Sequence, residues 1–106
     1  MIVASLKLQD AATSGNGTAV DLRGEGTLHV FYVSGTGTIT AGAVQFETAK
    51  SPDYTGTWSP LGVAVAPVSG QEDAYAFAGA YRALRARIST AVTGGGSTTV
   101  KLVSTE

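Results

Sequence analysis

Few residues of this sequence have side chains suited to catalysis. The one histidine, His29, lies inside an alternating apolar stretch. A Ser-His-Asp site needs an exposed histidine beside a nucleophile, so this position favours a strand histidine satisfied by packing or solvent. The chain has no cysteine, which excludes disulfides and thiolate metal sites. We therefore expect no catalytic residues and no enzymatic activity.

Carboxylates and glycines offer two further kinds of site. Most of the acidic residues lie in or near predicted turns: Asp10, Asp21, Glu25, Asp53, Glu72 and Asp73. Such a cluster could bind Ca²⁺, but the spacing of a calcium loop does not occur, and turn acids usually cap and solvate. The Gly-x-Gly pairs resemble phosphate loops, yet no Gly-Lys-Ser/Thr follows them. We predict hairpin glycines, no metal site and no cofactor.

Three of the seven basic residues stand close together, at Arg82, Arg85 and Arg87. In a strand, Arg85 and Arg87 share one face with Tyr81, while Leu84 and its alternate neighbours take the other. The planar guanidinium suits carboxylate pairing at protein interfaces. We predict that Tyr81, Arg85 and Arg87 lie on a partner-facing or subunit-facing surface. The alternative is that both arginines pair with Glu47 or another acid of the same chain.

The aromatic pair Tyr54 and Trp58 flanks one predicted loop. Exposed tyrosine and tryptophan rings beside carboxylates are stacking platforms in sugar-binding sandwich modules, so these two residues are a candidate glycan site. The alternative places Trp58 in the core beneath that loop, where its indole adds apolar contact area.

The elements that would position these side chains are short strands. Around the arginines, Gly79–Thr90 alternates, with Leu84, Ala86 and Ile88 on the core side. In Thr27–Val33 both faces are apolar, which suits a central strand or a strand whose outward face meets a neighbour. Further strands are predicted at Ile2–Leu8, Thr18–Leu22, Ala43–Ala49, Thr57–Gly62, Ala74–Ala78 and Thr98–Val103, and Thr38–Thr40 is a candidate ninth strand. The segment Val63–Val68 is apolar but contains Pro67 and many small residues.

Eight or nine turn-punctuated strands predict an all-β fold, an antiparallel β-sandwich of the jelly-roll or immunoglobulin-like kind. The 106 residues suit a single domain, spanning 1–106. The predicted core consists of Leu6, Leu28, Val30, Val44, Phe46, Trp58, Phe77, Leu84, Ile88, Val100 and Leu102.

Charge is scarce in this chain. Charged residues make up 14% and hydrophobic ones 43%, against roughly 25% charged in ordinary globular chains. The formal net charge of −1 gives no basic field for nucleic acid. The N-terminal residues Met1–Ser5 carry no basic leader or long apolar run, so we expect no signal peptide and no membrane span. A surface of Thr, Ser, Gly and Ala favours packing against other protein.

Several runs in the last two-thirds of the chain resemble small β-sandwich virion proteins of tailed bacteriophages. In that family an apolar-Gln-apolar-Glu strand, here Val44–Glu47, precedes a Ser-Pro-Asp loop, here Ser51–Asp53. A Trp strand follows, here Thr57–Gly62, and then a Gly-x-Tyr-Arg-x-x-Arg-Ala strand, here within Gly79–Ile88. A Gly-rich turn at 94–96 and a last strand at 100–102 complete the match.

The resemblance implies a structural role in a virion. Members on capsids are head decoration, or cement, proteins, and others belong to tails, spikes or fibres. The expected partners are therefore the major capsid protein and copies of this chain, as a dimer or trimer on the capsid surface, with no nucleic acid and no membrane. The competing function is a carbohydrate-binding or receptor-binding module of a tail, fibre or spike.

Overall fold

The computed structural model describes all 106 residues, and it contains eight β-strands and no helix. The strands are β1 (Ile2–Ala12), β2 (Val20–Asp21), β3 (Leu28–Thr36), β4 (Ala41–Ala49), β5 (Ser59–Val65), β6 (Glu72–Ala78), β7 (Ala83–Thr93) and β8 (Ser97–Thr105). The all-β prediction is therefore confirmed.

The strands form two four-stranded antiparallel sheets. Sheet A has the order β1-β8-β3-β6 and sheet B the order β2-β7-β4-β5. The pairs β1–β8, β2–β7, β3–β6 and β4–β5 are those of one long hairpin ribbon that has been rolled up. This is the jelly-roll arrangement, and it decides between the two sandwich topologies that the sequence left open.

The core lies between the sheets and centres on Phe31 of β3 and Phe46 of β4. Their rings stack across the sandwich with centroids 4.3 Å apart, and both side chains are buried. Phe77 of β6 meets both rings edge-on. The prediction for β7 is confirmed, because Leu84, Ala86 and Ile88 are buried on the inner face.

The predicted core was wrong for β3. Leu28 is 42% exposed and Val30 is only half-buried, while His29, Phe31 and Val33 point inward. Both sides of this strand are apolar, so the period of two alone does not say which side faces the second sheet. Among the other predicted core residues, Leu6 and Phe77 are half-buried at the margin of the core.

Several strand boundaries also differ from the prediction. The two apolar segments at 57–62 and 63–68 form the single strand β5, which Gly62 interrupts with a left-handed φ of 66°. No strand forms at 38–40, and the segment at 18–22 keeps only the two residues of β2. Leu22 is nevertheless buried in the core, so this segment contributes an apolar side chain without extending the ladder.

Candidate contact surface

One broad apolar surface remains uncovered on the outside of sheet A. In the register of β8, β3 and β6, Val103, Val30 and Ala76 form one row across the sheet. The adjacent row contains Leu28 and Ala78. We call this surface the outer face of sheet A; its apolar members are Ile2, Leu28, Val30, Tyr32, Ala74, Ala76, Ala78 and Val103.

The uncovered apolar side chains lie on β8, β3 and β6, and Ile2 of β1 lies at their margin beside Thr105. On β1, Ile2 is 61% exposed, and on β3 Leu28 is 42% exposed. Isolated exposed hydrophobic residues are common in soluble proteins, but a contiguous patch rimmed by polar residues marks an interaction site. The sequence signal for this surface was the apolar character of both sides of β3, which allows an outward face to meet a neighbour.

A polar margin with a shallow depression borders this apolar surface. Tyr32 lies between Lys101 on β8 and Ala74 on β6, and Lys7 follows on β1. Tyr32, Glu72, Lys101 and Val103 line a depression of about 270 Å³. An aromatic ring beside an ammonium and a carboxylate could orient a small polar ligand.

The outside of sheet B differs because an ion cluster and a loop cover it. Glu47 of β4 is buried, and its two carboxylate oxygens accept from Arg85 Nε at 2.8 Å and from Arg87 Nε at 3.2 Å. Cross-strand pairing places Glu47 directly opposite Arg85. Arg85 and Arg87 therefore both pair with Glu47 of the same chain, which is the second of the two possibilities stated for them. We call these three residues the Glu47 cluster.

Trp58 closes this cluster from the loop before β5. Its indole is buried, and the Arg85 guanidinium carbon lies 4.3 Å from the ring centroid, which is a cation–π contact. The indole Nε1 donates to the backbone oxygen of Tyr54 at 3.0 Å. The structure therefore places Trp58 beneath the loop, and this ring offers no open platform for a sugar. The Tyr54 ring itself is half-buried, with the Lys50 ammonium 5.3 Å from its centroid.

The interface role predicted for Tyr81, Arg85 and Arg87 stays a prediction, but the three residues have intramolecular partners. The Tyr81 hydroxyl donates to the Ala78 carbonyl at 3.1 Å. Arg85 retains little exposed area, whereas 37% of the Arg87 side chain is exposed. Arg87 is thus the more exposed of the two arginines, and its guanidinium is the more open to a partner.

Arg82 forms a separate ion pair at the surface, with Asp21 of β2. The Arg82 Nε lies 2.8 Å from an Asp21 carboxylate oxygen. This hydrogen bond from Arg82, together with one from the Arg23 backbone, lowers the pKa of Asp21 below its ordinary value. The pair joins the short strand β2 to the beginning of β7, and its exposed position limits what it adds to stability.

His29 is the buried centre of a short hydrogen-bond chain. Its Nε2 lies 2.8 Å from the Gly79 carbonyl, which can only accept, so Nε2 carries a proton. Its Nδ1 lies 2.8 Å from the Ser104 hydroxyl. Both side chains are fully buried, so this serine and histidine link β3 to β8 and to the turn after β6 and face no opening to solvent.

Gln9 is a structural residue that no sequence pattern singled out. Its buried amide Nε2 donates to Ala86 O at 2.8 Å and to Gly15 O at 3.0 Å. It thereby links β1 at the edge of sheet A to β7 in sheet B. Gly17 lies against this amide, and a Cβ there would clash with the Leu8 carbonyl oxygen.

Two kinds of site are absent from the structure. No three His, Asp or Glu side chains come together in a way that could hold a metal ion. No helix of the length and apolar character of a membrane span is present.

Comparison with known proteins gave one structural neighbour. The crystal structure of SPBc2 prophage-derived protein YomS aligns with a TM-score of 0.64 over 95% of this chain and 90% of the neighbour, at 20% sequence identity. This similarity supports the fold. No family model matches the chain, and no curated protein matches it by sequence.

Proposed function

We propose that this chain is a structural virion protein of a tailed bacteriophage, a capsid decoration protein that binds the major capsid protein and copies of itself without covalent bonds. The observation that carries the proposal is the outer face of sheet A, an apolar surface on β8, β3 and β6 with Ile2 of β1 at its margin. Burying such a surface against a neighbour stabilises the assembly in proportion to the apolar area removed from water.

Three further observations support this function. Jelly rolls are a common architecture of viral capsid domains. The structural neighbour is described as prophage-derived. The one Ser-His pair within hydrogen-bond distance is fully buried, and the one depression of the surface lacks a nucleophile-base pair. A protein that reinforces a shell needs shape and contact area and no reacting groups.

Binding to capsid shells tests the role of the outer face of sheet A. We expect purified protein to co-sediment with shells assembled from the major capsid protein of the same phage, and to raise the temperature at which they disrupt. Leu28→Lys with Val103→Lys places two charges on neighbouring strands of this face, at positions that are not directly opposite each other. We expect this double variant to lose at least tenfold in affinity, because lysine ammonium groups resist burial without a partner.

The matched control is Val63→Lys, since Val63 is 80% exposed on β5 of sheet B. This variant should bind shells as the wild type does.

Arg87→Ala tests the surface predicted from the arginines. Shells that gain no heat resistance from the wild-type protein would refute the decoration role. Loss of binding in Arg87→Ala alone would move the contact to sheet B.

A tail or receptor-binding module is the second candidate, and the depression beside Tyr32 favours it. A half-buried tyrosine ring flanked by Glu72 and Lys101 has the stacking surface and hydrogen-bonding groups that sugars require. We expect glycan-array binding, if this is the function, to fall at least tenfold in Tyr32→Ala and to persist in Tyr54→Ala. An array that gives no signal with the wild-type protein would count against this function.

A further inference from the structure

We propose that β6 is the strand through which two copies of this chain pair, antiparallel and about a two-fold axis at Ala76. The two copies of sheet A would then form one continuous sheet of eight strands, and their outer faces would become a single surface. This inference deepens the self-association within the proposed function. The experiments below use the protein without capsid shells, so pairing through β6 and binding to shells can fail independently.

The argument begins with the four strands at the sheet edges, three of which are protected. Strand β1 has three register irregularities. Strand β2 has two residues, and beyond it Gly15 bonds to β7. Strand β5 contains Pro60, a register shift and the left-handed Gly62. Bulges, proline, short strands and covering loops are the usual devices that prevent edge pairing.

The fourth edge, β6, has none of these devices. Its seven residues pair with β3 in unbroken register, without proline or glycine. Its two charged residues, Glu72 and Asp73, both lie at its first end, so the remaining stretch Ala74–Ala78 is uncharged. A straight, uncharged edge of this kind is a template for pairing with another strand.

The hydrogen bonds at the two ends of the β3–β6 ladder show which backbone groups of β6 are free. Gly35 N donates to Gln71 O at 3.3 Å, and Gly79 N donates to Thr27 O at 3.0 Å. Because the direction alternates along an antiparallel strand, the odd-numbered residues of β6 face β3. The N–H and C=O groups that point away from the sheet are those of Glu72, Ala74, Ala76 and Ala78.

The order of residues in this stretch makes it complementary to itself. With the axis at Ala76, Ala74 lies opposite Ala78 of the second copy, and Tyr75 lies opposite Phe77. The alanines share the outer side of the sheet, and the aromatic residues, both half-buried in the single chain, share the inner side. Cross-strand aromatic pairs stabilise a sheet, and the three alanines provide about six inter-chain backbone hydrogen bonds.

Charge also favours a second copy in this register. Glu72 and Asp73 fall outside the paired stretch, opposite Ala80 and Gly79 of the other copy. No acid therefore faces an acid, whereas like charges directly opposite would destabilise the ladder. A two-fold interface requires such self-complementarity, because each residue must suit its symmetry mate.

Single cysteines test the register, since the chain has no cysteine of its own. In Ala76→Cys the two thiols would lie directly opposite, with Cα atoms about 5.5 Å apart, a distance that a disulfide spans. Mild oxidation should therefore give a covalent dimer. In the matched control Ala74→Cys the two thiols would be four residues apart along the ladder, about 13 Å, so the same oxidation should leave it uncrosslinked.

Sedimentation measures the association itself. We expect the wild-type protein to form a dimer, and Ala76→Pro to weaken it at least tenfold with unchanged circular dichroism, because the Ala76 N–H takes no part in the β3–β6 ladder. The Leu28→Lys, Val103→Lys double variant should remain dimeric. A wild-type monomer at all concentrations, or equal cross-linking of both cysteine variants, would overturn the proposal. So would a dimer that the double variant dissolves, since that dimer would pack face to face.

Discussion

Phe46→Ala is expected to lower the free energy of unfolding by about 3–5 kcal/mol, the usual cost of removing a buried phenylalanine ring. Phe46 is 1% exposed and belongs to β4 in the middle of sheet B. Its ring stacks on Phe31 and touches the rings of Tyr75 and Phe77. Alanine would remove these contacts between the sheets and leave a cavity that the stiff strands around it close only in part.

Thermal and urea unfolding followed by circular dichroism measure this effect. For a chain of this size the loss corresponds to a fall in Tm of roughly 15 °C or more. Val63→Ala is the matched control, because Val63 is 80% exposed and its truncation should change stability by at most about 0.5 kcal/mol. A cost below about 1.5 kcal/mol for Phe46→Ala would mean that the two sheets are not held together around this ring.

The parts of the fold that the sequence predicted correctly are those in which charged and apolar residues alternate. In β7, Leu84 and Ile88 alternate with Arg85 and Arg87, so only one side of the strand can face the core. In β3 no such contrast exists, and the side with Phe31 prevails over the side with Leu28 because it meets Phe46 of the opposite sheet. That pairing depends on residues distant in sequence, which no local pattern contains.

The candidate sites likewise depend on contacts between residues that are distant in sequence. The choice between an external partner and Glu47 for the arginines depends on which strand lies beside β7, and the sequence does not specify that neighbour. The position of Trp58 beneath its loop follows from the same pairing, since the ring lies against Arg85. The only sequence signal for the outer face of sheet A was the apolar outward side of β3. The extent of this face across β8, β3 and β6 required the order β1-β8-β3-β6.

The Glu47 cluster leads to the second large effect. We expect Glu47→Gln to lower the free energy of unfolding by about 2–4 kcal/mol, somewhat below the cost of breaking a fully buried ion pair, because the Arg87 side chain is 37% exposed. The amide removes the negative charge and turns one hydrogen-bond acceptor into a donor that faces a guanidinium. The Arg85 side chain, which is only 16% exposed, would then keep a largely buried positive charge without a counter-ion.

A double-mutant cycle separates the ion pair from the packing around it. Arg87→Ala alone should cost at most about 1 kcal/mol, since Arg85 still neutralises Glu47. In Glu47→Gln with Arg85→Leu no charge on Arg85 is left unpaired, so the double variant should be more stable than the sum of its single variants predicts. Urea unfolding of the wild type, Glu47→Gln, Arg85→Leu and the double variant gives the coupling energy between Glu47 and Arg85. If the single effects add within about 0.5 kcal/mol, Glu47 and Arg85 do not stabilise the fold through each other, and the loop that carries Trp58 is held by packing alone.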